Sequence, residues 1–192
     1  GPLACLVTGT DTGVGKTLLA AALVRRLREH GQRVAGMKPV ASGSIPTPAG
    51  LRNEDALLLQ RESSQRWPYE TLNPLAFEPA IAPHLAAQEA GRSIDFELIE
   101  RRFAEIVVAT DSIIVEGAGG WLVPLGGRNT IADLAVRLQL PVVLVVGLRL
   151  GCLNHAFLTA ESIAARGRRL AGWVANEIDP RYERIDANVA TL

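Results

Sequence analysis

One stretch near the start, Gly9-Thr10-Asp11-Thr12-Gly13-Val14-Gly15-Lys16-Thr17, constrains this chain more than any other. The apolar run Ala4-Cys5-Leu6-Val7 leads into it, and a helical periodicity over 18–30 leads out. A glycine loop between a strand and a helix is the setting of a phosphate-binding loop. Glycines let the backbone turn tightly and bring its N–H groups up to phosphate oxygens. The new helix points its positive end at the same anion. In that setting Lys16 reaches the β- and γ-phosphates, and the Thr17 hydroxyl can ligate Mg²⁺. The usual pattern has about four residues between its first glycine and Gly-Lys-Thr. Here Thr10 stands where that glycine would be, and the nearest glycine, Gly9, is one position too early. A turn that merely joined the first strand to the first helix would need neither Lys16 nor Thr17.

The rest of the chain must supply a sheet for this loop. Its 192 residues suffice for one domain with its own core. With 48% hydrophobic and 21% charged residues, the chain is globular rather than disordered. Leu18, Leu19, Ala22, Leu23 and Leu27 recur at the helical period, predicting a helix packed through that face and stopped at Gly31. Residues 33–38 read as a strand ended by Pro39, which makes a strand–helix–strand unit with a right-handed crossover. Over 41–83 the pattern loosens around repeated prolines, with a short helix at 54–62; such long irregular segments are usually functional or mobile.

Helices are predicted over 82–90, 94–109, 130–140 and 152–166, the last stopped by Gly167, with a final one over 181–192. Ser112-Ile113-Ile114-Val115 is a buried strand ending at Glu116 and followed by glycines, and 121–125 continue extended. Residues 141–147 form the most apolar strand, and 170–176 another. About five mainly parallel strands alternating with helices give a doubly wound α/β layer with helices on both faces, as in P-loop nucleoside triphosphatases.

Charge and cysteine content narrow the partners. Basic and acidic residues number 20 each, so no net basic field attracts nucleic acid or an anionic membrane. No apolar stretch reaches membrane-spanning length, and no basic segment followed by an apolar one opens the chain. Cys5 and Cys152 fit neither a disulfide framework nor a metal site, and Cys5 reads as a buried reduced thiol. The expectation is a cytoplasmic protein that binds no nucleic acid and no membrane.

In a parallel sheet the carboxyl ends of the strands share one edge, where ligands bind. The pattern places Lys16, Thr17, Lys38, Glu116 and Asn176 there, with Asp55 able to swing to the same edge. Glu116 resembles the acidic residue that completes a Mg²⁺ site opposite a phosphate loop, although a loop carboxylate or a helix cap fits the pattern too. Mg²⁺ keeps several waters, so Thr17, Asp55 and Glu116 with phosphate oxygens would suffice. Asp55 alone equally suits the first turn of a helix. Lys38 is either a solvated strand end or a second cation that offsets charge during phosphoryl transfer. Asn176 is a turn residue, or an amide that reads a purine edge. His84 and His155 read as packing residues within helices.

Five blocks together resemble the dethiobiotin synthetases. They are the loop from Thr8 to Thr17, Gly36-Met37-Lys38-Pro39-Val40-Ala41-Ser42-Gly43, Val115-Glu116-Gly117-Ala118-Gly119-Gly120, Leu150-Gly151-Cys152-Leu153-Asn154-His155 and Gly172-Trp173-Val174-Ala175-Asn176. The resemblance implies closure of a cyclic urea on 7,8-diaminononanoate with CO₂, ATP and Mg²⁺, through a carbamate and a carbamic–phosphoric anhydride. It implies that Gly13, Val14, Gly15, Lys16, Thr17 and Leu18 hold the ATP phosphates, and that Thr17, Asp55 and Glu116 hold Mg²⁺. Lys38 would be the catalytic lysine, assisted by Thr12 and Lys16, with Ser42 against the diamine. Glu116, Gly117, Ala118 and Gly119 would line the nucleotide site, and Asn176 and Glu177 would complete it at the base. Gly151, Cys152, Leu153 and Asn154 would take the substrate carboxylate across the interface of a homodimer, a role that suits a helix N-terminus.

The chain departs from that family pattern at named places. Some members have Glu in place of Gly13, and Arg149 stands where lysine is expected. The family pattern continues past Leu192 with a strand, a loop over adenine and a closing helix, so residues 1–192 are expected to form one domain lacking these. The alternative reading is a nucleotide switch of the partition and division-site type. Those proteins carry Lys-Gly-Gly-x-Gly-Lys-Thr, and here Asp11 holds the place of the signature lysine.

Overall fold

The computed structural model describes residues 2–192. In chain order the elements are β1 (Leu3–Gly9), α1 (Lys16–Glu29), β2 (Val34–Met37), β3 (Val40–Ala41), β4 (Ile45–Thr47), β5 (Gly50–Arg52), α2 (Glu54–Glu62), α3 (Tyr69–Leu72), β6 (Leu75–Ala76) and α4 (Pro83–Glu89). There follow α5 (Phe96–Val107), β7 (Ser112–Gly120), β8 (Pro124–Gly126), β9 (Asn129–Thr130), α6 (Ile131–Arg137), β10 (Val142–Leu148), α7 (Cys152–Ala165), β11 (Leu170–Glu177) and α8 (Ile185–Thr191). The five long apolar runs pair in one parallel sheet of order β11-β10-β1-β7-β2. β1, which feeds the glycine loop, is therefore central, and its carboxyl end lies between those of β7 and β10.

β2 does not neighbour β1; β7 lies between them. The first crossover thus carries α1 over β7, where Ala20, Ala21 and Val24 pack with Val7, Ile114 and Val145. This corrects the expected face of α1. Leu18 and Ala22 point to solvent, Leu18 being 70% exposed, while Leu19, Leu23 and Leu27 lie at the margin of the packed face. Small alanines let the helix approach the sheet, and the loop orients the first turn so that Lys16, not Leu18, faces inward.

The opposite face of the sheet carries the larger core. Leu6, Ile113, Val115 and Val142 pack there with Ile99 and Ile106 of α5, Leu134 of α6 and Ile163 of α7. A third cluster joins Leu144, Val146 and Leu148 to Cys152 and Ala156, with Ile185 and Val189 of α8 at its edge. Capping sets the helix starts. The Asn53 side chain accepts from Ala56 N–H to open α2, and Thr130 and Asp133 form a capping box that opens α6.

Three further expectations change. β7 does not stop at Glu116 but runs on to Gly120, so Glu116 lies within the strand opposite Val7. Pairing with β1 is interrupted after Glu116 and resumes at Gly120, with Gly119 at φ 64° in the irregular stretch between, which no apolar count could signal. The segment over 41–83 is less irregular than its prolines suggest: it contains the parallel pair β3–β6, the hairpin β4–β5 and helix α3. α8 begins at Ile185 rather than at 181. Both cysteines are free, and Cys152 is the fully buried one; Cys5 is partly buried, and that burial pushes its thiol up to about 11.

Candidate active site

The loop after β1 is held from behind. Thr10 N–H donates to Val145 O at 2.9 Å, and the Thr10 hydroxyl accepts from Gly147 N–H at 3.2 Å. The threonine hydroxyl therefore adds a second tie to β10 that a glycine could not make. Asn176, at the end of β11, donates from Nδ2 to Val14 O at 2.8 Å. Gly15 caps α1 at φ 104°, and a Cβ there would stand 2.4 Å from Asn176 Nδ2. Asn176 is thus a strut for the loop, and it is not among the residues lining the cleft in front of it.

Four elements converge in front of the loop. The Thr17 hydroxyl donates to Glu116 Oε1 at 2.6 Å. Lys38 Nζ, just past β2, donates to the same Oε1 at 3.0 Å and to Gly117 O at 3.3 Å. Asp55, in the first turn of α2, brings Oδ2 to 3.4 Å from Lys38 Nζ. Lys38 is 5% exposed and Glu116 1%, so both charges sit out of water and depend on each other. Glu116 Oε2 is buried and has no hydrogen-bond partner.

Lys16 Nζ rests on Asp11 O at 3.1 Å. Burial holds its ammonium below the ordinary lysine range, and the positive charge of Lys38 adds to that effect. Asp11 is itself engaged: its carboxylate accepts from Thr12 N–H at 2.7 Å and forms an ion pair with Arg149, beyond β10.

These groups line a cleft of about 810 Å³. Thr12, Gly13, Gly15, Lys16, Thr17, Lys38, Ser42, Asp55, Glu116, Ala118 and Gly119 all face it. The Ser42 hydroxyl is buried there without a partner. Sequence reasoning missed the far wall, built by Ala80-Ile81-Ala82-Pro83 and by Val123 and Pro124. Proline spacing was its only signal. Other expected site residues lie elsewhere. Leu18 points away to solvent, and Val14 is buried behind the loop. Glu177 is exposed at the end of β11. Gly151, Cys152, Leu153 and Asn154 form the start of α7 and are not among the residues lining the cleft, and Cys152 Sγ lies 3.5 Å from the Tyr182 hydroxyl.

The donor set suits Mg²⁺. Hard oxygen ligands from one or two carboxylates, a hydroxyl and substrate phosphates are what this ion takes. Glu116 supplies a buried oxygen with nothing to bind, Thr17 a hydroxyl beside it, and Asp55 a second carboxylate on the same lysine. Among the described residues no cluster of three or more His, Cys, Asp and Glu side chains could hold a metal alone. A metal here would therefore need the phosphates to complete its shell.

Beside the loop lies a second hollow of about 500 Å³, lined by Asp11, Trp121, Leu122, His155, Leu158 and Thr159 among others. Of its lining residues Leu122 and Leu158 are exposed apolar side chains, and Leu150 and Phe157 are exposed elsewhere at and after the turn into α7. Among the described residues no helix is long and apolar enough to cross a membrane.

A family described as an AAA domain matches residues 4–192. The ATP-dependent dethiobiotin synthetase BioD of Xanthomonas euvesicatoria pv. vesicatoria (strain 85-10) is 54% identical over 186 residues, covering 97% of this chain and 83% of that protein. The protein of the same name from Pseudomonas aeruginosa (strain UCBPP-PA14) is 55% identical over 190 residues, covering 98% and 83%. Among solved structures, a chain of the MinC:MinD cell division protein complex of Aquifex aeolicus superposes with a TM-score of 0.58 at 16% identity, over 99% of this chain and 77% of that one. The kinase domain of Escherichia coli tyrosine kinase ETK gives 0.54 at 14%, over 93% and 69%. At such identities these two show a shared fold and nothing about the chemistry.

Proposed function

The chain belongs to the dethiobiotin synthetase family, and from that premise we propose how its residues carry out ATP-dependent ring closure of 7,8-diaminononanoate with CO₂, a step of biotin biosynthesis. One amine of the diamine adds to CO₂; an N–C bond forms, a proton leaves, and a carbamate results. A carbamate oxygen attacks the γ-phosphorus, whose bond to the β–γ bridging oxygen breaks, and ADP departs. The second amine attacks the carbamoyl carbon of this anhydride. The second N–C bond forms, the C–O bond to phosphate breaks, and the amine proton passes to solvent as inorganic phosphate leaves.

The loop supplies the first requirement. Backbone N–H groups from Gly13 to Leu18 and the start of α1 receive the phosphates, and Lys16 leaves the Asp11 carbonyl for the anion. Lys38 is the catalytic lysine: between Glu116 and Asp55 it faces the region where the phosphoryl group transfers, and it offsets the charge that develops there. Thr12 and Ser42 offer hydroxyls on the cleft wall to the carbamate and the diamine. Thr17, Asp55 and Glu116 would hold Mg²⁺, which when bound supplies neutralisation of the β- and γ-phosphate oxygens. The observation that carries this reading is Glu116 Oε2, buried and unpartnered beside the Thr17 hydroxyl and Lys38.

Ala118 and Gly119 line the cleft and would stand next to the phosphates, with buried Gly117 contributing only backbone, and Asn176 and Glu177, outside the cleft lining, would complete the site at the base. The exposed apolar side chains Leu122 and Leu158 at the second hollow, with exposed Leu150 before α7, suit a second copy of the chain, which would present its own Gly151, Cys152, Leu153 and Asn154 to the substrate carboxylate. Two free thiols suit a reducing compartment, the cytoplasm in this reading. The test is phosphate release from MgATP with and without 7,8-diaminononanoate and bicarbonate, with dethiobiotin detected by mass. Release that requires both and yields dethiobiotin supports the reading; release indifferent to the diamine overturns it.

A further inference from the structure

We propose that the buried hydroxyl of Tyr69 is a positioning group for the reaction, which through Asn53 and Asn73 holds Lys38, Ser42 and Asp55 in one arrangement. The proposal rests on the roles just given to those three residues. Tyr69 is 6% exposed, Asn53 7% and Asn73 2%. The Tyr69 hydroxyl accepts from Asn53 N–H at 2.7 Å and donates to Asn73 Oδ1 at 2.8 Å. That donation fixes which way the Asn73 amide points. Its Nδ2 then donates to Lys38 O at 2.7 Å. On the other arm, Asn53 Oδ1 accepts from Ala56 N–H at 3.2 Å and so caps the helix turn that carries Asp55. Asn53 Nδ2 donates to Ser42 O at 3.3 Å.

Each arm therefore ends on a functional residue or next to one. None of the three relay residues lines the cleft. The elements they join, β2, the segment after β3, and α2, are separate in sequence; besides this network, β2 and α2 meet through the Lys38–Asp55 pair and through the Ser63 and Ser64 hydroxyls, which accept from Gly36 and Val34 N–H at the far end of α2. The Arg52 guanidinium covers the tyrosine ring at 4.1 Å from its centroid and pairs with Glu70, which closes the relay from solvent. Deleting the hydroxyl leaves the Asn53 N–H and the Asn73 carbonyl buried and unpaired, so the backbone shifts to recover partners. The groups that shift are those that must meet the transferring phosphoryl group, where misplacement by about 1 Å costs on the order of a hundredfold.

The test compares Tyr69→Phe with Thr110→Val. Thr110 also loses a buried hydrogen bond, to Ile106 O at 2.8 Å, but it precedes β7 at the opposite edge of the sheet. Thermal midpoints, kcat, the KM values and amide hydrogen exchange over 53–57 are measured for both. Tyr69→Phe is expected to lower kcat about tenfold to a hundredfold, as loss of an orienting partner does, with faster exchange at Asn53 and Ala56. The KM for ATP should stay within about twofold, because the loop hangs on other elements. Thr110→Val should lower the midpoint alone. Equal kcat in the two variants, or unchanged exchange at Asn53 and Ala56, overturns the relay. If Tyr69→Phe does not fold, Asn53→Ser keeps a cap for α2 but loses the tie to Ser42; a raised KM for the diamine supports the relay, and an unchanged one overturns it. Absence of dethiobiotin from the unaltered enzyme would instead overturn the functional reading, while hydrogen exchange would still decide whether the hydroxyl orders α2.

Discussion

The ammonium of Lys38 is shared by two carboxylates: it lies 3.0 Å from Glu116 Oε1 and 3.4 Å from Asp55 Oδ2. A cation buried between two carboxylates cannot be a solvated strand end. In the proposed mechanism it would follow the charge that moves as the phosphoryl group transfers. Lys38→Ala is expected to lower kcat by about 10²-fold or more, as loss of one preorganised donor does. Steady-state kinetics decide the matter: an unchanged kcat with only a raised KM would assign Lys38 to ground-state binding.

Glu116→Gln separates charge from shape. The amide keeps the size of the side chain and an oxygen to accept from the Thr17 hydroxyl and from Lys38. It loses the anionic oxygen that has no partner in the protein. The Mg²⁺ concentration for half-maximal activity is expected to rise about tenfold or more, and Mn²⁺ binding followed by electron paramagnetic resonance should weaken in parallel. Undiminished Mn²⁺ binding would remove Glu116 from the metal site.

The parts of this site that could be read from the sequence share a physical cause. Lys16, Thr17, Lys38 and Glu116 were legible because a parallel sheet sends its carboxyl ends to one edge, and short-range motifs mark those ends. Leu18 was misread because helical period alone does not say which side of α1 faces the sheet; the smaller Ala20, Ala21 and Val24 win that face. Asp11 with Arg149, and Tyr69 with Asn53 and Asn73, were not legible, since each pairing joins positions that only the folded chain brings together. The extension of β7 past Glu116 was hidden for the same reason: the strand resumes its pairing at Gly120, opposite Gly9, across an irregular glycine stretch that local propensity would end.

Arg149 and Asp11 offer a milder test of the loop. Their ion pair is half-exposed, with side chains 41% and 47% accessible, so solvent screens it. Without Arg149 the Asp11 carboxylate would stand unpaired beside the phosphate site. Arg149→Met is expected to raise the KM for ATP about twofold to fivefold, the range of a screened pair, and Arg149→Lys should restore it. An equal rise in the lysine variant would point to the guanidinium's shape rather than its charge.

Two glycines of the loop should respond differently to the same substitution. Gly15 and Gly13 both have positive φ, 104° and 73°. A Cβ on Gly15 would meet Asn176 Nδ2 at 2.4 Å, whereas a Cβ on Gly13 would meet nothing within 4 Å. Gly13→Ala is expected to cost about 1–2 kcal/mol of backbone strain and to keep ATP binding. Gly15→Ala should cost more and abolish ATP binding, because the strut from Asn176 to Val14 O must move. Denaturant midpoints and ATP titrations of both variants check this; comparable ATP affinity in the two would show that the strut is dispensable.

Lys16 links ATP binding to pH. Its ammonium titrates below the ordinary value of 10.5, first because it is buried and second because Lys38 is near. The unfolded chain then binds more protons than the native one between the lowered value and 10.5, so the stability of the free enzyme rises with pH across that window. The penalty is complete below the window and gone above it. ATP phosphates favour the charged form and pull the value back up, so ATP binding within the window takes up a proton. Calorimetry in two buffers of different ionisation enthalpy reads that uptake directly. It is expected to grow as pH rises from neutrality into the window, and to shrink in Lys38→Ala, where the repelling charge is gone but the loop is intact. Uptake that is absent throughout the window, or equal in Lys38→Ala, would show that Lys16 does not meet the phosphates as a perturbed, buried ammonium.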